Sequence, residues 1–183
     1  TALDAGAAVS LGNQFVLNDN LSILGSQDLT LAGALSGNGQ LIKNGGANLT
    51  LATQNTHTGG VLLNAGTLTL GNGQALGTGL LDVEGAATLA AGGLSVANNI
   101  RLGAGLGINT GGQGLTLSGA LNGAGNLTLN DNGVLTLSGN NSHTGGITLN
   151  AGTLVAASDT ALGSGQLTVG GNATLQSTAN RNF

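Results

Sequence analysis

The segment Leu29 to Leu89 is written a second time as Leu115 to Leu175, 86 residues further on, with 34 of the 61 aligned positions identical. Upstream the offset is 85, pairing Val9 with Leu94, Phe15 with Ile100 and Ile23 with Ile108. Two copies of one long unit, residues 9–93 and 94–178, therefore account for nearly all of the 183 residues. A self-similar period of this length in a chain rich in Gly and Leu predicts stacked repeats, each burying its apolar face against the next.

Within the unit the local pattern is an apolar–polar–apolar triplet: Val9-Ser10-Leu11, Leu21-Ser22-Ile23, Leu29-Thr30-Leu31, Leu49-Thr50-Leu51, Leu68-Thr69-Leu70, Leu115-Thr116-Leu117, Leu135-Thr136-Leu137, Ile147-Thr148-Leu149 and Leu167-Thr168-Val169. Alternation with period two marks short strands whose outer residues point inward and whose Ser or Thr points out. Between triplets stand corner residues, as in Ser36-Gly37-Asn38-Gly39, Asn44-Gly45-Gly46 and Gly123-Ala124-Gly125-Asn126, which turn the chain at little steric cost. No stretch keeps an i, i+3, i+4, i+7 apolar face through three turns, so helix is disfavoured.

A hairpin barrel stays open as an alternative, but its interior calls for bulkier side chains than Leu and Ala, and the chain has two Phe and no Trp or Tyr. A single all-β domain over 1–183, wound as a right-handed parallel β-helix, fits better. Four coils per unit give roughly 21 residues per coil and about eight coils, a rod some 40 Å long at ~4.8 Å per coil. One coil alone cannot bury enough aliphatic surface to offset the ordering of its backbone, so stability grows with coil number. Neither Thr1 nor Phe183 carries an obvious cap for the exposed end of such a stack, which suggests a piece of a longer chain.

Composition narrows the function. Charged residues make up 5% of the chain and the net charge is −4, with Lys43, Arg101 and Arg181 as the cations; a phosphate backbone has little to grip, so nucleic acid is set aside. No apolar run approaches the ~20 residues that span a bilayer as a helix, so the segment itself is not expected to cross a membrane. No Cys is present, which excludes a disulfide framework.

The most specific sequence lies in residues 39–77 and 125–163. Here Asn55-Thr56-His57-Thr58-Gly59-Gly60-Val61-Leu62-Leu63-Asn64-Ala65-Gly66-Thr67-Leu68 returns as Asn141-Ser142-His143-Thr144-Gly145-Gly146-Ile147-Thr148-Leu149-Asn150-Ala151-Gly152-Thr153-Leu154. Both copies resemble the passenger-associated transport repeat, or autotransporter-associated β-strand repeat, whose pattern is approximately G-x-L-x-K-x-G-x-G-x-L-x-L-x-G-x-N-T-Y-T-G-G-T-x-V-x-A-G-T-L. The chain departs from it with His57 and His143 where Tyr is common, and with Leu129 where the first copy keeps Lys43. The resemblance implies a passenger segment of a Gram-negative type V autotransporter, at the cell surface or outer membrane or secreted. Its partner would be a C-terminal outer-membrane β-barrel translocator of the same parent chain. It also implies that the matched motif residues act in structure and export, not in catalysis.

Other candidates have plainer readings. Asp82 and Glu84 flank Val83 and would share an outer face about 6.6 Å apart, as a sugar-hydrolysing pair might require; the second copy has Thr168 and Gly170 there, and no aromatic platform accompanies them, so they read as a solvated acidic patch. His57 and His143 are expected on one side of the rod, four coils and about 19 Å apart, too far to share an ion. Each is expected at a corner, bonded to backbone or stacked on neighbouring loops. Asn18-Asp19-Asn20 and Asn130-Asp131-Asn132 lack the acidic repetition of a calcium loop and read as turn formers. The pairs Gly59-Gly60 and Gly145-Gly146 precede no Lys-Ser or Lys-Thr and read as corners. No catalytic residue, cofactor or metal ligand is assigned.

Three functions remain in order: a structural passenger stalk that aids export and folding across the outer membrane; an adhesin whose Thr, Asn and Gly ladders contact host cells, bacterial cells, glycans or an identical rod; and, last, a polysaccharide enzyme using Asp82.

Overall fold

The computed structural model describes residues 1–180; Arg181 and Phe183 lie outside them. Among the described residues there is no helix, and 23 strands of two to five residues follow one another. Every strand pairs in parallel with a strand about twenty residues away, as Leu29 with Leu49 and Leu127 with Ile147. Short strands in parallel register without helical crossovers leave one architecture, a β-solenoid of stacked coils.

Each coil visits three faces in turn. The first face is a seven-stranded sheet running from Ala2–Leu3 through Leu21–Ile23, Leu41–Lys43, Val61–Leu63, Leu81–Val83 and Ile100–Leu102 to Leu121–Gly123. The second is a nine-stranded sheet from Val9–Leu11 to Leu167–Val169. The third is made of the pair Phe15–Leu17 and Leu35–Gly37 and, further along, a five-stranded sheet from Leu94–Val96 to Thr174–Ser177. The nine strands of the second face count nine coils. A 21-residue coil predicted about eight; most coils close in nineteen to twenty-one residues, as the register Leu29, Leu49, Leu68, Leu89, Ile108 records.

The triplets behave as their alternation predicts. Leu29, Leu31, Leu49, Leu51, Leu68 and Leu89 are fully or almost fully buried, stacked one above another in a continuous aliphatic core. Thr30, Thr50 and Thr69 form the outward column between two of these Leu ladders. The burial of each Leu against its image in the next coil, worth about 1.5–3 kcal/mol per side chain, is what a single coil lacks.

Candidate functional site

Three faces in nine coils give 27 rungs, of which the 23 strands fill all but four. The four exceptions are residues 55–57 and 75–77 on the third face and 141–143 and 161–163 on the first, all in or just after the repeated motif. They still stack. Thr56 and Thr58 donate N–H to the carbonyls of Leu35 and Gly37 at 2.8 and 2.9 Å, and Ser142 and Thr144 donate to Leu121 and Gly123 at 2.8 Å each.

What replaces the missing ladder is a side chain. The Asn55 Oδ1 accepts the N–H of Leu35 in the coil before, at 2.7 Å, and its Nδ2 donates to the carbonyl of Ala75 in the coil after, at 2.6 Å. Asn141 does the same between Leu121 N–H at 2.9 Å and Ala161 C=O at 2.7 Å. A primary amide carries one acceptor and donors in a plane, as a peptide unit does, so it can stand in for one where the backbone turns away. Both Asn residues are buried.

The next motif position points inward. His57 and His143 are fully buried, and neither ring nitrogen of either has a hydrogen-bond partner. Burial pushes both imidazoles below their ordinary value near 6.5, because the charged form would lose its hydration with nothing to replace it. Of the two expectations for each His, the backbone hydrogen bond is corrected, because the ring is turned into the core with neither nitrogen bonded, while contact with a neighbouring turn is present. Each ring lies against the coil above, where Gly77 and Gly163 leave room; a Cβ at Gly77 would stand 2.8 Å from the His57 Nδ1.

Gly59 and Gly60 make the following corner. A Cβ on Gly59 would overlap the Gly39 carbonyl of the coil below, one on Gly60 would overlap Leu80 of the coil above, and Gly60 has φ +77°. Gly145 and Gly146 are held in the same way between Gly125 and Gln166. The Asn of the Asn-Ala-Gly-Thr-Leu stretch forms a corner ladder: Asn64 donates to Asn44 Oδ1 at 2.8 Å and Asn150 to Asn130 Oδ1 at 2.7 Å. Thr67 and Leu68, like Thr153 and Leu154, then enter strands paired on both sides.

Lys43 shows where the copies part. Its side chain is fully buried within the ladder Ile23, Lys43, Leu63, and its Nζ donates to the carbonyls of Asn44, Gly45 and Ala65 at 2.7, 2.8 and 3.1 Å. Burial lowers its pKa, while the charge of Asp28 acts in the opposite direction. Leu129 fills the equivalent place in an all-aliphatic ladder between Ile108 and Leu149.

The two copies do not lie on one side of the rod. His57 follows the third-face strand Leu35–Gly37, whereas His143 follows the first-face strand Leu121–Gly123. From one to the other the chain climbs thirteen rungs, four coils and one face more. The expectation of four whole coils fails because the offset of 86 contains a non-integral number of twenty-residue coils.

On the outer surface Asp82 and Glu84 are joined by Arg101, which lies 19 residues beyond Asp82 in the sequence. Arg101 lies beside Asp82 in the next coil, bonds its Oδ2 at 2.7 Å, and also contacts Glu84. The two carboxylates raise the pKa of the guanidinium further, the hydrogen bond to Asp82 foremost. Both carboxylates are thus held by one guanidinium of the next coil. Asp131 is a turn former, accepting from the N–H and hydroxyl of Thr110 at 2.6 and 2.9 Å and from Gly133 N–H at 3.3 Å. Burial pushes its carboxyl up, but these hydrogen bonds outweigh it and hold it below the ordinary value. Among the described residues no group of three or more His, Cys, Asp or Glu is placed to hold a metal ion.

The family model of the passenger-associated transport repeat matches residues 41–70 and 127–156. The Adhesin BmaC autotransporter of Brucella suis biovar 1 (strain 1330) is 37% identical over 120 residues, covering 57% of this chain and 4% of that protein. This chain therefore corresponds to a small part of its relative's length. No solved structure matches it. Each matched segment begins on the strand 14 residues before the buried Asn and ends on the second strand after it, and the chain carries two passenger-associated transport repeats, as autotransporter passengers do.

Proposed function

We propose that this segment is a structural stalk of its passenger, exposed at the cell surface or released, and that it aids export and folding across the outer membrane. One observation carries the reading: the motif's distinctive side chains are directed into the rod and spent on joining coils. Asn55 ties three successive coils, His57 fills the core, and the glycine pair fits between two corners. A coil completed outside the membrane offers its open edge to the next, so folding advances by one rung at a time and opposes backsliding of the chain. The translocating partner is a C-terminal outer-membrane β-barrel of the same parent chain. No catalytic role falls to Asp82 or Glu84.

The test is surface display of the parent passenger with residues 55–68 and 141–154 deleted, set beside the double variant Asn55→Ala, Asn141→Ala. Slowed or lost display in both supports the reading; unchanged display in both overturns it.

The relative's description as an adhesin favours a second reading, a binding face made of the outward Thr, Asn and Gly columns. A purified rod that binds neither cells nor itself would count against it.

A further inference from the structure

Most glycines of this rod stand where a neighbouring backbone leaves no space or where φ is positive. Gly107 does neither. It is, among the described residues, the single glycine inside a strand rather than at its end, in Leu106–Asn109 of the second face. Its φ is not positive, and a Cβ there would meet nothing nearer than the Thr88 Oγ1 at 3.4 Å.

Nor does the rung demand it. The same rung of the first copy is Leu21-Ser22-Ile23, with a hydroxyl at the matching position. In its own column Gly107 is flanked by Thr88 below and Thr128 above, and the column continues through Thr148 and Thr168. A glycine in a strand gives up packing and backbone entropy, and where no other backbone claims the space it admits a ligand.

Gly107 floors an open groove of about 490 Å³. Its walls carry the hydroxyls of Thr67, Thr88 and Thr128 and the amides of Asn126 and Asn130, groups that both donate and accept. No cation lines it, and where it runs on past Ile108 it meets Asp131, which disfavours anions. Thr88 and Thr128 stand two coils apart on this face, about 9.6 Å between strands. With no aromatic platform the walls cannot stack on the face of a ring, so a ring must enter edge-on.

We propose that this groove binds a neutral oligosaccharide, seated over Gly107 between Thr88 and Thr128. The proposal gives the adhesive reading a ligand class and rests on it to that extent; it is independent of the role in export.

The experiment titrates the isotope-labelled chain with neutral hexasaccharides of glucose, mannose and N-acetylglucosamine, with a sialylated oligosaccharide alongside, and follows amide shifts. At least one neutral sugar is expected to move the amides of Gly105 and Gly107 and the side-chain amides of Asn126 and Asn130. Gly107→Thr, whose Cβ would sit at van der Waals distance from Thr88 and which completes the Thr column, is expected to keep the fold and weaken binding roughly tenfold or more. Thr128→Val, which removes one hydroxyl at constant shape, weakens it as well. Absence of shifts with every neutral sugar, binding of the sialylated sugar alone, or undiminished binding by folded Gly107→Thr and Thr128→Val overturns the proposal. Adhesion of the rod to cells without any of these shifts would overturn this site while leaving the adhesive reading standing.

Discussion

Asn141 stands 86 residues beyond Asn55 and one face further round the rod, yet spans its neighbouring coils with the same two hydrogen bonds. The surroundings have turned through a third of a circle and the contact has not changed. The amide therefore belongs to the rung and not to the face, and its worth can be measured at either position.

Asn55→Ala leaves Leu35 N–H and Ala75 C=O buried without their partner. At about 1–3 kcal/mol for each of the two unsatisfied groups, the loss is roughly 2–6 kcal/mol. Hydrogen exchange at the Leu35 amide should accelerate accordingly. Asn55→Asp should also destabilise, since a carboxylate cannot donate to Ala75. Unchanged exchange in both variants would show that the bridge contributes nothing.

Folding should depend on pH through His57 and His143. Their folded pKa values lie below the ordinary 6.5, so the unfolded chain binds protons that the folded chain refuses. Stability is fully present above about pH 6.5 and falls as pH drops below it, by up to ~1.4 kcal/mol per pH unit for each His until the folded pKa is reached. Urea unfolding between about pH 8 and about pH 5 should show this slope. In the double variant His57→Phe, His143→Phe the slope should vanish whatever the baseline stability.

Gly77 and Gly107 predict opposite outcomes for the same kind of change. Gly77→Ala places a methyl against the His57 ring and carbonyl at φ +67° and should cost about 2 kcal/mol or more. Gly107→Ala meets only ordinary van der Waals contacts, with Thr88 Oγ1 at 3.4 Å, in an extended strand and should leave the thermal midpoint unchanged or raised. Equal losses in thermal melts would refute the distinction.

Lys43→Met removes the ammonium shared by the carbonyls of Asn44, Gly45 and Ala65. Hydrogen bonds to a charged donor and their partial replacement by water set the expected loss at about 1–3 kcal/mol, read as a lower urea midpoint. Leu129→Met, at the equivalent place in an aliphatic ladder, should cost less than ~1.5 kcal/mol.

The strands and corners were legible because a triplet such as Leu29-Thr30-Leu31 states its own orientation, and so were the parallel stack and the family. The geometry of the motif was not. Asn55 and His57 lie in a rung that is not a strand, so nothing local says that their side chains face the core. The partner of Asp82 and Glu84 was hidden for another reason: Arg101 becomes a neighbour only once the coil length is known to the residue. The offset of 86 counts residues, and residues convert to rungs and coils only through a register that the sequence does not state.

That register also fixes a heading. Thirteen rungs on three faces advance the chain by four turns and a third, so each added unit lengthens the rod and swings whatever it carries through 120°, like a spiral stair whose landings never align until the third storey. Duplication of such a unit is a means of aiming as well as of reaching: one insertion redirects the far end, and three return it to its original bearing.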